Sequence, residues 1–179
     1  MKNQGFTLLE LMIAISILTI MIAMAAPGFH NIFNTNTINL TTTELRGLLV
    51  AAKSEAVMRS KDVYLHTIGL TPTATLTNNW CVIASTDPSA TTCTPNSNTL
   101  YLIKGSNLKG LNIKRHSSYA SLKIDKLQGH PDFQHGETNV DWLTFEKESG
   151  KAITMQMNLF GRLYRCGVGG KWYGADACE

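Results

Sequence analysis

The apolar positions of this chain fall into two regimes. Between residues 11 and 29 (LMIAISILTIMIAMAAPGF) no charge interrupts them. A helix of about 20 such residues rises about 30 Å, enough to cross the hydrocarbon core of a bilayer. Residues 30–43 (HNIFNTNTINLTTT) are rich in Asn and Thr, which form helices poorly. A 3.6-residue period then takes over between 44 and 60. Leu45, Leu48, Leu49, Ala52 and Ala56 share one face there, with Arg46, Lys53 and Arg59 elsewhere. The pattern predicts one long N-terminal helix, apolar all round at first and amphipathic later, with a weak stretch at 30–43. Pro27, followed by Gly28, predicts a kink, because proline removes one helical hydrogen bond.

After residue 60 the period changes from 3.6 to 2. Runs at 63–67, 79–84, 100–104, 111–114, 122–127, 142–145 and 153–159 read as strands. The last is the clearest, since Ile153-Thr154-Met155-Gln156-Met157-Asn158-Leu159 alternates without error. Clusters of Gly, Pro, Asn, Ser and Asp separate the runs, and 85–99 and 128–140 read as loops. One helix followed only by short strands predicts an α+β fold, with an antiparallel sheet wrapped on the helix.

Composition narrows the class. Of 179 residues, 44% are apolar, ample for a core, and only 16% are charged. The mean hydropathy of −0.04 is high for a soluble chain, and the excess sits in the N-terminal run. Sixteen Lys and Arg against thirteen Asp and Glu give +3, too small a balance to identify a partner.

The front edge of the apolar run carries an acid, Glu10. A carboxylate at membrane depth is costly unless paired, so it is read as functional. The segment Gly5-Phe6-Thr7-Leu8-Leu9-Glu10 closely resembles the type IV prepilin signal, the class III leader shared by type IV pilins and type II secretion pseudopilins. The resemblance implies that prepilin peptidase cuts after Gly5 on the cytoplasmic side and methylates the new amine on Phe6. The mature chain then runs from 6 to 179, and losing Lys2 lowers its side-chain charge to +2. It further implies a leader at 1–5, a transmembrane and assembly helix at 6–29, and a periplasmic head at 30–179. In a bundle of such helices the Glu10 carboxylate faces the Phe6 ammonium of a neighbouring subunit. Each charge offsets the desolvation of the other, and the pair sets the axial register. Pilins commonly carry a proline at the place of Pro27.

A second resemblance starts at Glu44. Glu44-Leu45, Gly47-Leu48-Leu49, Ala52, Ser54-Glu55-Ala56-Val57, Arg59 and Val63, together with the late Phe160-Gly161-Arg162, are similar to the GspH/FimT/FimU family of minor pilins and minor pseudopilins. It implies a minor type IV pilin that helps initiate or cap a pilus, with the H-type minor pseudopilin of a type II secretion system as the alternative. The implied partners are other major and minor pilins or pseudopilins, prepilin peptidase and the inner membrane. The implied location is the inner membrane in a single pass, then the periplasm or the pilus, including its tip.

Four cysteines, Cys81, Cys93, Cys166 and Cys178, would face an oxidising compartment. Three pairings exist. Cys81–Cys93 and Cys166–Cys178 are favoured because each closes a short local loop. Zinc is the competing reading, but no Cys-x-x-Cys pair exists.

No catalytic constellation stands out. His130, Asp132 and His135 in GHPDFQH read as a solvated loop, since Pro131 opposes a helix that would aim both imidazoles one way. No Gly-x-Ser-x-Gly elbow occurs, and Gly167-Val168-Gly169-Gly170 lacks the context of a phosphate loop and reads as a flexible, disulfide-closed turn. The chain is expected to be no enzyme and to need no metal or cofactor. Two basic clusters remain. Lys104, Lys109, Lys114, Arg115, Lys123 and Lys126 stand against one acid, Asp125, while Arg162, Arg165 and Lys171 alternate with Tyr164, Trp172 and Tyr173. Cations with aromatic rings hold nucleic acid without reading sequence. FimT-like members of the resembling family bind DNA through a C-terminal Gly-Arg-x-Arg motif. The corresponding Gly161-Arg162-Leu163-Tyr164-Arg165-Cys166 makes Arg162, Arg165 and Lys171 candidates for contact with double-stranded DNA. Its second arginine comes one residue late, which turns it to the opposite face if the segment is a strand.

Overall fold

A computed structural model describes residues 7–73, 79–107, 111–116, 118–133 and 136–178. Gly5, Phe6, Lys109 and His135 lie outside the described residues. The chain divides into two compact units, one ending at Asn36 and the other running from Thr37 to Glu179.

Helix α1 spans Leu8–Arg59 and continues through Pro27. Its start is a reciprocal cap. The Glu10 N–H donates to Thr7 Oγ1 (3.2 Å), and the Thr7 N–H donates to Glu10 Oε2 (3.3 Å). This satisfies two of the backbone donors that a helix end leaves unpaired. Its end is set by Ser60, which turns left-handed at φ 51°, with the Lys61 N–H reaching back to the Ala56 carbonyl (3.1 Å). The Asn/Thr-rich stretch does not break the helix. Thr41 Oγ1 donates to the Thr37 carbonyl (2.8 Å) and Thr42 Oγ1 to that of Asn39 (3.1 Å). Both threonines are buried with their hydroxyls spent on their own helix, so local propensity is overridden by burial.

In the second unit α1 buries Leu45, Leu48, Leu49, Ala52 and Ala56, the face predicted from the period, together with Ile38. Each leucine stabilises the unit by about 1.5–3 kcal/mol through burial. The strands are β1 (Val63–Ile68), β2 (Cys81–Ser85), β3 (Thr99–Lys104), β4 (Asn112–Arg115), β5 (Ser121–Ile124), β6 (Pro131–Asp132), β7 (Asn139–Glu148), β8 (Lys151–Asn158) and β9 (Leu163–Val168). They confirm the α+β class, but in two antiparallel sheets instead of one, ordered β3-β2-β1-β5-β6 and β4-β7-β8-β9. The division occurs because β4 pairs with β7, far ahead in sequence, and not with β3.

Several segments differ from the expectation. β6 and the start of β7 lie in the stretch read as loop. β6 is two residues pairing with β5, too short to show any period. β7 shifts register between Asp141 and Leu143, which breaks strict alternation. β9 was hidden because Cys166 and Gly167 interrupt the pattern, so part of the presumed flexible turn is strand. Trp142, Phe145, Leu143, Met155 and Met157 from one sheet, and Leu65, Val82, Leu122 and Ile124 from the other, join the α1 face in one core.

Candidate interaction surfaces

The first surface is the N-terminal part of α1. Every described side chain from Thr7 to Met24 is exposed, with Leu8 at 80% and Met24 at 77%. Among the described residues no helix is long and apolar enough to cross a membrane. Glu10 sits at the head of this row, and Thr7 is its partner within the chain. The sequence signal for that contact is Thr-x-x-Glu before an apolar run.

The second surface surrounds the β8–β9 connection. Leu159, Phe160, Gly161 and Arg162 form its loop. The Gly161 N–H donates to the Asn158 carbonyl (2.8 Å), and the Asn158 N–H donates to that of Arg162 (3.1 Å). Asn158 Oδ1 accepts the N–H groups of Phe160 (3.1 Å) and Arg162 (2.9 Å). Gly161 has φ 67°, the left-handed residue such a loop requires. Arg162 and Tyr164 are both exposed, and the guanidinium lies 5.2 Å from the Tyr164 ring centroid.

The structure gives the other two candidate cations different settings. Arg165, one residue past Tyr164, is half-buried and its guanidinium donates to Asn39 Oδ1 on α1. This is the opposite-face placement expected of a strand. Lys171 pairs with Asp176 at 2.8 Å, both exposed. Their hydrogen bond and charge attraction raise the lysine pKa and lower that of the aspartate. Lys171 Nζ and the Arg165 guanidinium are therefore engaged within the chain.

Two cations of α1 approach the same loop. Arg46 Nη2 donates to the Leu163 carbonyl (3.2 Å), and Lys53 Nζ donates to that of Phe160 (2.6 Å). No local sequence signal links either to residue 162, which lies 116 and 109 positions further along the chain. With Arg162 and Tyr164 they line a groove of ≈ 360 Å³.

The other basic cluster does not form one strip. Lys104 belongs to β3 and Lys123 to β5, separated by β2 and β1 in the sheet, about 14 Å at about 4.8 Å per strand. Lys114 belongs to the other sheet. Lys123 faces Asp62 (3.5 Å) and Asp132 (3.9 Å), and the charge of Asp62, above all, raises its pKa. Arg115 Nε donates to the Leu70 carbonyl (2.9 Å). His130 lies edge-on to Phe160, and Asp132 faces Lys123. Among the described residues no group of three or more His, Cys, Asp or Glu gathers to hold a metal.

Both cysteine pairs are bonded, Cys81 to Cys93 (S–S 2.07 Å) and Cys166 to Cys178 (S–S 2.04 Å). The second joins β9 to a C-terminal segment that folds back on it. The Gly167 N–H donates to the Asp176 carbonyl (2.7 Å) and the Cys178 N–H to that of Gly167 (2.9 Å).

Comparison with known families agrees with this arrangement. The prokaryotic N-terminal methylation motif matches residues 1–26. The model of the family described as type II transport protein GspH matches residues 41–159, from the buried part of α1 to the end of β8. No curated protein and no solved structure matches the chain significantly. With well over half of its length matched behind a prepilin-type N-terminus, the chain belongs to the GspH/FimT family of pilin-like structural subunits.

Proposed function

We propose that the chain is a minor type IV pilin that helps initiate or cap a pilus. Prepilin peptidase cuts it after Gly5 and methylates Phe6, residues 6–29 hold it in the inner membrane, and it then passes into the filament with other pilins. The observation that carries this reading is the row of exposed apolar side chains from Leu8 to Met24 headed by Glu10. Burying such a row contributes about 25 cal/mol per Å², and lipid or a bundle of like helices supplies the burial. In the free chain the Thr7 N–H and hydroxyl donate to one oxygen of the Glu10 carboxylate. In the bundle the methylated ammonium of a neighbour's Phe6 takes that place and sets the register. Pro27 gives α1 a point of bending on passage from membrane to filament.

The family description favours a second reading, the H-type pseudopilin of a type II secretion system. Loss of the chain separates the two, since a pilin's loss abolishes piliation and a pseudopilin's loss abolishes exoprotein secretion. The test of the assembly role is Glu10→Ala in cells lacking the wild-type chain. The variant is expected to be cut and retained in the inner membrane but absent from sheared filaments. Unimpaired incorporation refutes the role given to Glu10.

Contact with double-stranded DNA is part of the same reading. Arg162, exposed over Tyr164, supports it. The detergent-solubilised mature chain is expected to retard duplex DNA at low salt, and absence of retardation removes this part.

A further inference from the structure

We propose that the polyanion site is the groove between α1 and the β8–β9 loop, where Arg46, Lys53 and Arg162 together hold phosphates of a nucleic-acid backbone. This rests on the DNA reading above but gives it a different set of residues, two of them from the helix.

Three observations carry it. First, the groove of ≈ 360 Å³ is lined by Arg46, Lys53 and Arg162 with Leu49, Val50 and Tyr164, and among the described residues no carboxylate lines it. Two other cations of this unit do stand against acids, Lys171 against Asp176 and Lys123 against Asp62 and Asp132. A concave site lined by one sign of charge focuses the field on a ligand of the opposite sign.

Second, the cations are held in place. Arg46 and Lys53 each spend one donor on a backbone carbonyl of the loop, at Leu163 and Phe160. Arginine and lysine carry several N–H donors each, so the remainder stay available. The backbone of Arg162 is fixed by Asn158. Less side-chain freedom is then lost on binding.

Third, Tyr164 is 41% exposed beside these charges. Its ring lies 5.2 Å from the Arg162 guanidinium and holds that cation at the groove, and three cations facing no carboxylate among the described residues complement the regular charge of a nucleic-acid backbone.

The experiment is a salt titration of duplex DNA binding by the full mature chain in detergent. Three neutralised phosphates give a slope of log K against log salt of about −2.7, since each contributes about 0.9. Arg46→Gln, Lys53→Gln and Arg162→Gln are each expected to flatten the slope by about 0.9, whereas Lys171→Gln leaves it unchanged. Arg46→Lys and Lys53→Arg retain the slope, which separates loss of charge from loss of fold, and thermal melts of each variant check the fold directly. If the wild type binds but the helix substitutions leave the slope intact, the groove is overturned while DNA contact stands. If the wild type binds no DNA, both fall. If polyglutamate displaces the DNA as well as competing DNA does at equal charge, the site is a carboxylate dock and the nucleic-acid assignment is wrong.

Discussion

At position 161 the backbone turns with φ 67°, and an added Cβ would lie 3.1 Å from Pro131 Cδ and 3.2 Å from Lys53 Nζ. Gly161→Ala therefore meets both a left-handed penalty of about 1–2 kcal/mol and a displaced Lys53. Urea unfolding is expected to show at least that loss, and unchanged stability would sink the argument. The glycine's role in the loop was legible in Phe160-Gly161-Arg162, whereas its closeness to Lys53 was not. Asp125 illustrates a charge acting on its own backbone. Its carboxylate accepts the N–H groups of Leu127 (2.8 Å) and Gln128 (2.9 Å), and these bonds hold its pKa below the ordinary 3.8. A folded-state pKa lowered in this way contributes stability at higher pH, which disappears as pH falls through that value. The stability gap between wild type and Asp125→Ala is expected to be constant from pH 7 to 5 and to close towards pH 3 and below. A gap that persists in strong acid would contradict this origin. Arg165 shows how far parity reaches. Counting residues from Tyr164 put it on the other face, but only folding supplied Asn39, 126 positions away, as its partner.

The same division of labour holds for whole elements. Strand β9 is the last of its sheet, and an uncovered edge invites pairing with another chain. The segment after it folds back and bridges Gly167 to Ala177, while Trp172 Nε1 donates to the Val168 carbonyl (3.0 Å). Gly167 is needed there, because a Cβ would sit 2.0 Å from the Gly170 carbonyl oxygen. The Cys166–Cys178 bond, across a separation of 12 residues, staples this cover. A loop of that length contributes about 3 kcal/mol by restricting the unfolded chain. Cys166→Ser with Cys178→Ser is expected to lower stability by about that amount and to speed amide exchange at Gly167. Wild-type exchange at Gly167 in the double variant would show that the cover holds without its staple. Helix α1 was readable in its apolar spacing. The Asn/Thr-rich stretch was readable as its weak part, but what holds that part, the burial of Thr41 and Thr42 in the second unit, was not.

For the molecule as a whole, the amino-acid order determined the long helix, the face it buries, the α+β class and the prepilin-type N-terminus. The first three rest on periodicity and spacing within a few turns of chain, which local steric and solvation preferences set directly, and the last on the resemblance of Gly5–Glu10 to a known signal. The exposed apolar row led by Glu10 belongs with them, and with it the expectation that Glu10→Ala blocks entry into filaments. Tertiary structure alone decided that the strands form two sheets, that Pro131–Asp132 and Leu163–Val168 join them, and that Arg46 and Lys53 line one groove with Arg162. A strand's pattern says which face is buried but not which strand lies beside it. Contacts between residues more than a hundred positions apart depend on where the core closes, and the core closes only when helix and both sheets are packed together.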